Sequence, residues 1–409
     1  MRQIWKGLDI PVVGNGGKGK PPPASLSSRF GRAAALSAAV FSIFAGSAMA
    51  GSSNVQLYGV IDEGVTHFTG IAPAGAQAGN TETTSSTGLS SGVDYGSRIG
   101  LKGDENLGGG LSAFFDVETG FCAAGTSQDY GGQTYCTAGG FMQRQSYVGL
   151  KGDFGVLQGG REYTPNFNDE ANVDPFGAGM TGQVNNLSLV GQLGMYRSSQ
   201  TLTYVTPDIS GFSGTAAYVF SAGSGTVPGS SPATANVPRA FTVAGEYQTG
   251  PVLFGATYTR LTNSTLSAAG FNDGNIDLWD LHGAYDFGVM KISGIYEDAK
   301  ADYNSGSDKF WMLGVTVPVG SGAILASYSD AKNSSTWAPG AVAANGGQAK
   351  QYAIGYTYNL SKQTLLYSSC SHISNSNGSA VAVGDSTDYF PGVANRSSTG
   401  LALGIVHKF

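Results

Sequence analysis

Leu401-Ala402-Leu403-Gly404-Ile405-Val406-His407-Lys408-Phe409 closes the chain on a period of two. Leu401, Leu403, Ile405, His407 and Phe409 fall on one side of an extended backbone, and Ala402, Gly404, Val406 and Lys408 on the other. The same period recurs upstream. Leu111, Ala113, Phe115 and Val117 alternate with Ser112, Phe114, Asp116 and Glu118, and Tyr352, Ile354, Tyr356 and Tyr358 alternate with Ala353, Gly355 and Thr357. Alternation of this kind marks half-buried strands. Between such segments lie two sorts of connection. Short ones include Glu105–Gly110, Thr206-Pro207-Asp208 and Asn359-Leu360-Ser361; long Gly/Ser/Thr/Asn-rich ones cover about 70–93, 121–140, 221–238, 262–275, 330–348 and 374–395. Short turns at one end and long loops at the other are the mark of a membrane-spanning barrel.

Composition agrees. The 409 residues include 63 Gly, 20 Tyr and 20 Phe, and only 12 % are charged, against about a quarter in ordinary soluble domains. Tyr58, Phe114, Tyr147, Tyr258, Tyr296 and Tyr356 fall in or near strand ends, where an amphipathic ring suits a membrane interface. The fold class expected is all-β: a transmembrane antiparallel β-barrel. At roughly 22 residues per strand with its share of connections, residues 51–409 make about 16 strands, a size that leaves an aqueous channel.

The first 50 residues read differently. Arg29 and Arg32 precede an apolar run over 33–44, followed by Ala48-Met49-Ala50, the order of a signal peptide and its cleavage site. Residues 1–28, with Pro21-Pro22-Pro23, read as extra leader or an upstream start. The expected domains are therefore 1–50, removed, and 51–409, the barrel. Residues 1–50 hold six of the Lys and Arg side chains and one Asp, which leaves 16 basic against 27 acidic and a net charge of −11. No basic patch of nucleic-acid type remains. No later stretch reaches 18 consecutive apolar residues, so the membrane is crossed by strands, whose backbone groups must all find partners.

Cys122 and Cys136 share one polar loop, and Cys370 is distant. Export permits a Cys122–Cys136 disulfide, worth roughly 3 kcal/mol for a loop of that length; two free thiols are the alternative. No His stands near either at ligand spacing, so neither metal nor cofactor is expected.

Several blocks in register are similar to the Gram-negative general porins, above all their β-proteobacterial branch. They are Val55–Asp62, Ser97–Gly103 with Glu105–Leu111, Arg144–Lys151, Gly160–Tyr163, and the terminal His407-Lys408-Phe409. The resemblance implies a homotrimer of 16-stranded barrels in the outer membrane, in contact with its lipid and lipopolysaccharide. It implies Phe409 as the signal read by the barrel-assembly machinery. It also implies a third long loop, about Tyr163–Asn186, folded inward to narrow the pore and carrying Asp169, Glu170 and Asp174. The family places an acid inside its Pro-Phe-Gly-like motif; here Asp174 stands just before Pro175.

The barrel segment has seven Arg, at 98, 144, 161, 197, 239, 260 and 396. Arg98, Arg144 and Arg197 match the family's basic wall, and Arg161 is a further candidate or a trimer contact. Guanidiniums facing loop carboxylates set a transverse field across a narrow slot. Strict alternation puts Arg144 out of phase with Gly149 and Lys151, which calls for a bulge. The function expected is passive diffusion of ions and small hydrophilic solutes. A channel specific for a sugar or carboxylate is the alternative. A barrel enzyme would need a nucleophile paired with a His base, or paired acids; no Gly-x-Ser-x-Gly elbow occurs, and the chain reads as no enzyme.

Overall fold

The computed structural model describes residues 53–76, 79–124, 141–220, 239–264, 274–302, 306–334 and 346–409. The expected leader 1–50, Cys136, and most of the loops expected at 121–140, 221–238, 262–275 and 330–348 lie outside them.

The chain starts with a long strand, β1 (Ser53–Ile71), whose two halves meet different partners. Its first half pairs with β3 (Arg98–Gly108), from Ser53↔Glu105 to Val60↔Arg98. Its second half pairs with β2 (Thr84–Ser91), from Glu63↔Ser91 to Ile71↔Thr84. β2 and β3 are thus two halves of one strand, parted by residues 92–97. The segment 84–91 was expected in a loop because it is Ser/Thr-rich. It extends because it pairs with the second half of β1 from Glu63 to Ile71, and pairing overrides weak propensity.

The chain then runs through β4 (Leu111–Gly120), β5 (Gln145–Gly152), β6 (Gly155–Tyr163), β7 (Arg197–Val205), β8 (Phe212–Val219), β9 (Arg239–Thr249) and β10 (Val252–Ser264). It continues with β11 (Gly274–Asp286), β12 (Lys291–Ala301), β13 (Asp308–Val319), β14 (Gly322–Asn333), β15 (Gln348–Asn359), β16 (Thr364–Ser376) and β17 (Ser398–Lys408). Each pairs antiparallel with the next, and β17 returns to β1 from Val60↔Lys408 to Thr69↔Thr399. Seventeen segments therefore make a closed barrel of 16 strands with no free edge, the condition for a sheet in hydrocarbon. At the seam Phe409 exchanges two backbone hydrogen bonds with Gly59, of 3.0 and 3.1 Å.

The outer surface carries the apolar set that sequence alternation assigned to lipid. Val55, Leu57, Leu202, Phe241, Ile354 and Leu403 are exposed, an arrangement that water would oppose and hydrocarbon favours. Trp279, Tyr296, Trp311, Tyr328 and Tyr352 form a belt across β11–β15, with ring centroids 5.3 Å (Trp279–Tyr296), 5.2 Å (Trp311–Tyr328) and 5.0 Å (Tyr328–Tyr352) apart. At the tight-turn end Gly108, Gly109 and Gly110 all take positive φ, of 86°, 60° and 81°, which only glycine adopts three times running without strain.

The third long connection, residues 164–196 (L3), does not leave the barrel. It forms α1 (Pro165–Val173), a 3-10 turn (Val184–Asn186) and α2 (Leu189–Gln192), and the connection as a whole runs ten residues beyond the expected end at Asn186. Thr164 caps α1 by accepting from the Phe167 amide, with Pro165 in the first turn, the favoured N-terminal pair. Leu187, Leu189, Val190 and Leu193 bury against Ile276, Leu278, Phe310 and Met312 of the wall. L3 is thus fastened to the wall by apolar packing, to which Phe176 and Met180 add a second cluster with Leu325, Ala353 and Val406.

Candidate functional site

Three arginines far apart in sequence come together at the mouth of L3. Arg98 opens β3 directly after the 92–97 excursion. That excursion is held by Asp62, whose carboxylate accepts from the amides of Asp94 and Tyr95 at 2.6 and 2.7 Å. Arg144 stands just before β5, and its amide donates to the Glu118 carbonyl. The bulge expected there is absent: β5 pairs with β4 from Gln145 to Lys151 without a register shift. Arg144 lies before the strand, so alternation does not bind it. Arg197 opens β7 at the end of L3.

Two groups bind the cluster. The Glu118 carboxylate is 2.8 Å from Arg98 Nε and 3.9 Å from Arg144 Nε. The Tyr163 hydroxyl accepts from Arg144 Nη2 at 2.9 Å and from Arg197 Nη2 at 2.5 Å. Arg197 also lies over the Tyr163 ring, 4.2 Å from its centroid, and that ring stacks on Phe167 of α1 at 4.9 Å. Three guanidiniums against one carboxylate leave a net charge of +2. Arg161 flanks the cluster, donating to Ser199 Oγ at 2.8 Å and to the Gln143 carbonyl.

The loop acids sit elsewhere. Asn166, Asp169, Glu170 and Val173 share the i, i+3, i+4, i+7 stripe of α1, and that stripe is the buried one. Asp169 accepts from Thr257 on β10, and Glu170 is packed beside Glu297 on β12. Burial and the Glu297 carboxylate push the Glu170 carboxyl well up. Asp174 is spent inside L3, accepting from the amides of Phe176, Ala178 and Val184 at 3.1, 3.0 and 2.9 Å; burial lifts it to about 6. None of the three is an ion-pair partner of Arg98, Arg144 or Arg197 among the described residues. The picture of loop carboxylates facing the basic wall gives way to one in which Asp169 and Glu170 face the wall of β10 and β12, because a helix laid on a wall buries its contact stripe, while Asp174 is bound within L3 itself.

Further contacts carry L3 along that wall. Lys291 Nζ donates to the Asn172 carbonyl at 3.0 Å, and the Leu189 amide to Glu297 at 2.7 Å. Gln351 Nε2 donates to the carbonyls of Gly182 and Gln183, and Asn186 Nδ2 to Gln351 Oε1. L3 thus begins beside the arginines of β3–β7 and lies on β10–β16. Glu118 and Tyr163 were missed as site residues in the sequence. Glu118 had a signal, since it shares the polar face of β4 with Asp116.

Of the predicted cysteines, Cys122 follows β4, while Cys136 lies outside the described residues; Cys370 on β16 is a free thiol.

Comparison with known proteins supplies the context. A family model described as Gram-negative porin matches residues 33–378. An outer membrane porin of Bordetella pertussis is 30 % identical over 91 % of this chain and 99 % of its own. Outer membrane porin protein 32 of Delftia acidovorans is 30 % identical over 89 % and 96 %. Among solved structures, an anion-selective porin from Comamonas acidovorans aligns with a TM-score of 0.67 at 26 % identity, covering 88 % of this chain and all of that one.

Proposed function

Because this chain belongs to the Gram-negative porin family, whose members are outer-membrane channels rather than enzymes, we propose that its water-filled barrel is narrowed by L3 and favours anions. The observation that carries this is the meeting of Arg98, Arg144 and Arg197 around Glu118 and Tyr163. Arg98 and Arg144 keep 21 % and 11 % of their side-chain surface open, and three charges against one cannot be neutralised internally. A net positive arc beside an aqueous path lowers the energy of a passing anion and raises that of a cation. With Asp169 and Glu170 turned to the far wall and Asp174 bound within L3, no carboxylate of L3 pairs with that arc among the described residues. Arg suits the role because its charge survives close like-charged neighbours. The similar porin from Comamonas acidovorans is described as anion-selective, which supports the same sign.

Three further readings belong to this proposal. The chain assembles as a homotrimer, with Arg161 and the exposed apolar side chains of β1 as candidates for the contact. Residues 1–50 are removed on export. Phe409, at the β1–β17 seam, is the residue the assembly machinery reads. The test of the pore is a planar-bilayer recording under a KCl gradient: the reversal potential should lie on the chloride side. A reversal potential on the potassium side refutes the selectivity reading, and absence of conductance refutes the open pore.

A further inference from the structure

One inward-facing row of the barrel is built for something the channel does not use. Glu246 on β9, Gly255 on β10 and His282 on β11 lie side by side, paired as Gly255↔Glu246 and Gly255↔His282. Between two large polar side chains stands a residue without one. The His282 ring occupies that gap: a Cβ on Gly255 would stand 2.3 Å from its Nε2. Into the same gap α1 sends Asp169, whose Oδ1 lies 3.8 Å from His282 Nε2.

The imidazole is oriented. Its Nδ1 lies 2.8 Å from Asp280 Oδ1, and both side chains are 1 % exposed. A carboxylate on Nδ1 holds the proton there and leaves the Nε2 lone pair for another partner. Nε2 is buried and makes no hydrogen bond among the described residues. The arrangement is the carboxylate–histidine pair that supports metal ligands. The donor atoms of Asp169, Glu246 and His282 all lie within 4.8 Å of one another. Ligands about 2.0–2.2 Å from a shared ion stand roughly 3.3 Å apart in a tetrahedral site, so small side-chain shifts would close the set.

We propose that His282 Nε2, Asp169 and Glu246 bind one divalent transition-metal ion, which ties the L3 helix to the barrel wall, with Asp280 as the positioning residue. One imidazole and two carboxylates suit Zn2+ and its neighbours in the first row. Three protein ligands leave a fourth position for a water molecule. Two ligands come from the wall and one from the loop, so the ion cross-links elements that are otherwise joined by hydrogen bonds and packing.

The experiment uses the full chain folded in detergent, stripped with a chelator and dialysed against Zn2+ alone, with the bound ion counted by atomic emission. Co2+ loaded in its place reports the ligand field by visible absorption. The expected result is about one ion per chain and a Co2+ band of low-symmetry, four- or five-coordinate type. His282→Gln and Glu246→Gln should each weaken binding at least about tenfold, and Asp280→Asn by a factor in the ten- to hundredfold range seen when an outer partner is lost. Gly255→Ala should act alike, since its Cβ would displace the His282 ring from the gap while all three ligand residues are retained. Gel mobility of the folded barrel identifies any variant that fails to fold, and the half-buried Glu246 keeps the test open in that case. Retention of no ion by the folded wild-type chain overturns the proposal; so does equal retention by wild type and all folded variants, which marks an adventitious ion only.

Discussion

Neutralising Arg98 and Arg197 together to Gln should turn the pore toward cations, and the size of the change follows from the cluster. An ion about 5 Å from a guanidinium interacts with it by about 0.8 kcal/mol in water, and screening at physiological salt roughly halves that. An anion gains what a cation loses, so each charge shifts the anion-to-cation ratio roughly fourfold, and two shift it on the order of fifteenfold. The figure is a floor, since a slot walled by protein has a lower dielectric than water. Removing Arg98 also takes away the nearest partner of Glu118, at 2.8 Å, and leaves that carboxylate with Arg144 at 3.9 Å, which pushes the same way. The reversal potential under a KCl gradient should therefore cross toward potassium at low salt, and the shift should shrink near 1 M, where the screening length falls to about 3 Å. Arg239→Gln and Arg396→Gln should leave it unmoved. A double variant that folds and keeps the wild-type reversal potential at low salt would show that these arginines do not line the ion path.

Four other outcomes are expected. A chain ending at Lys408 should be exported yet give few folded barrels, because the exchange of Phe409 with Gly59 is lost; normal yield in heat-modifiable gels argues against it. Unreduced peptide mapping should find Cys122 joined to Cys136, and separately alkylated thiols end that idea. Leu187→Ala, at a site with no exposure, should cost about 2–5 kcal/mol of local stability and make single-channel current noisier through a looser L3; a quiet trace would show that L3 is held by its polar tethers alone. Asp174, lifted to about 6, favours its neutral form when folded, so its destabilising contribution is present above that pH and fades as pH falls through about 6 toward the unfolded value. Asp174→Asn should flatten the melting temperature's dependence on pH between about 4 and 6.5, and an unchanged slope refutes the assignment.

The strands were legible because lipid and lumen impose opposite solvents on alternate residues, and Leu401, Leu403 and Ile405 record that directly. Arg98, Arg144 and Arg197 were found through family motifs, and their convergence on Glu118 and Tyr163 depends on where three strands begin, which no local pattern reveals. Thr84–Ser91 was misread because its strand character comes from β1, not from its own residues. The loop acids were misplaced because helix phase, which buries Asp169 and Glu170 together, was not read for a segment taken to be a loop. The row Glu246–Gly255–His282 was invisible for a related cause: it exists only once the registers of β9, β10 and β11 are fixed.

The seam between β1 and β17 differs from every other in its separation along the chain. With β2 and β3 counted as one interrupted strand, all remaining pairs join neighbours in sequence, so each can zip from a hairpin as its residues become available. The pairing of Val60 with Lys408 bridges nearly the whole barrel sequence, and its entropy of closure is met only once, late, when all other ladders have shortened the effective loop between the two ends. Until then two strand edges stand open side by side in the membrane, the one moment at which a second chain could be captured in place of the first. The speed of that final closure, more than the strength of any single hairpin, then decides between a closed barrel and a tangled one.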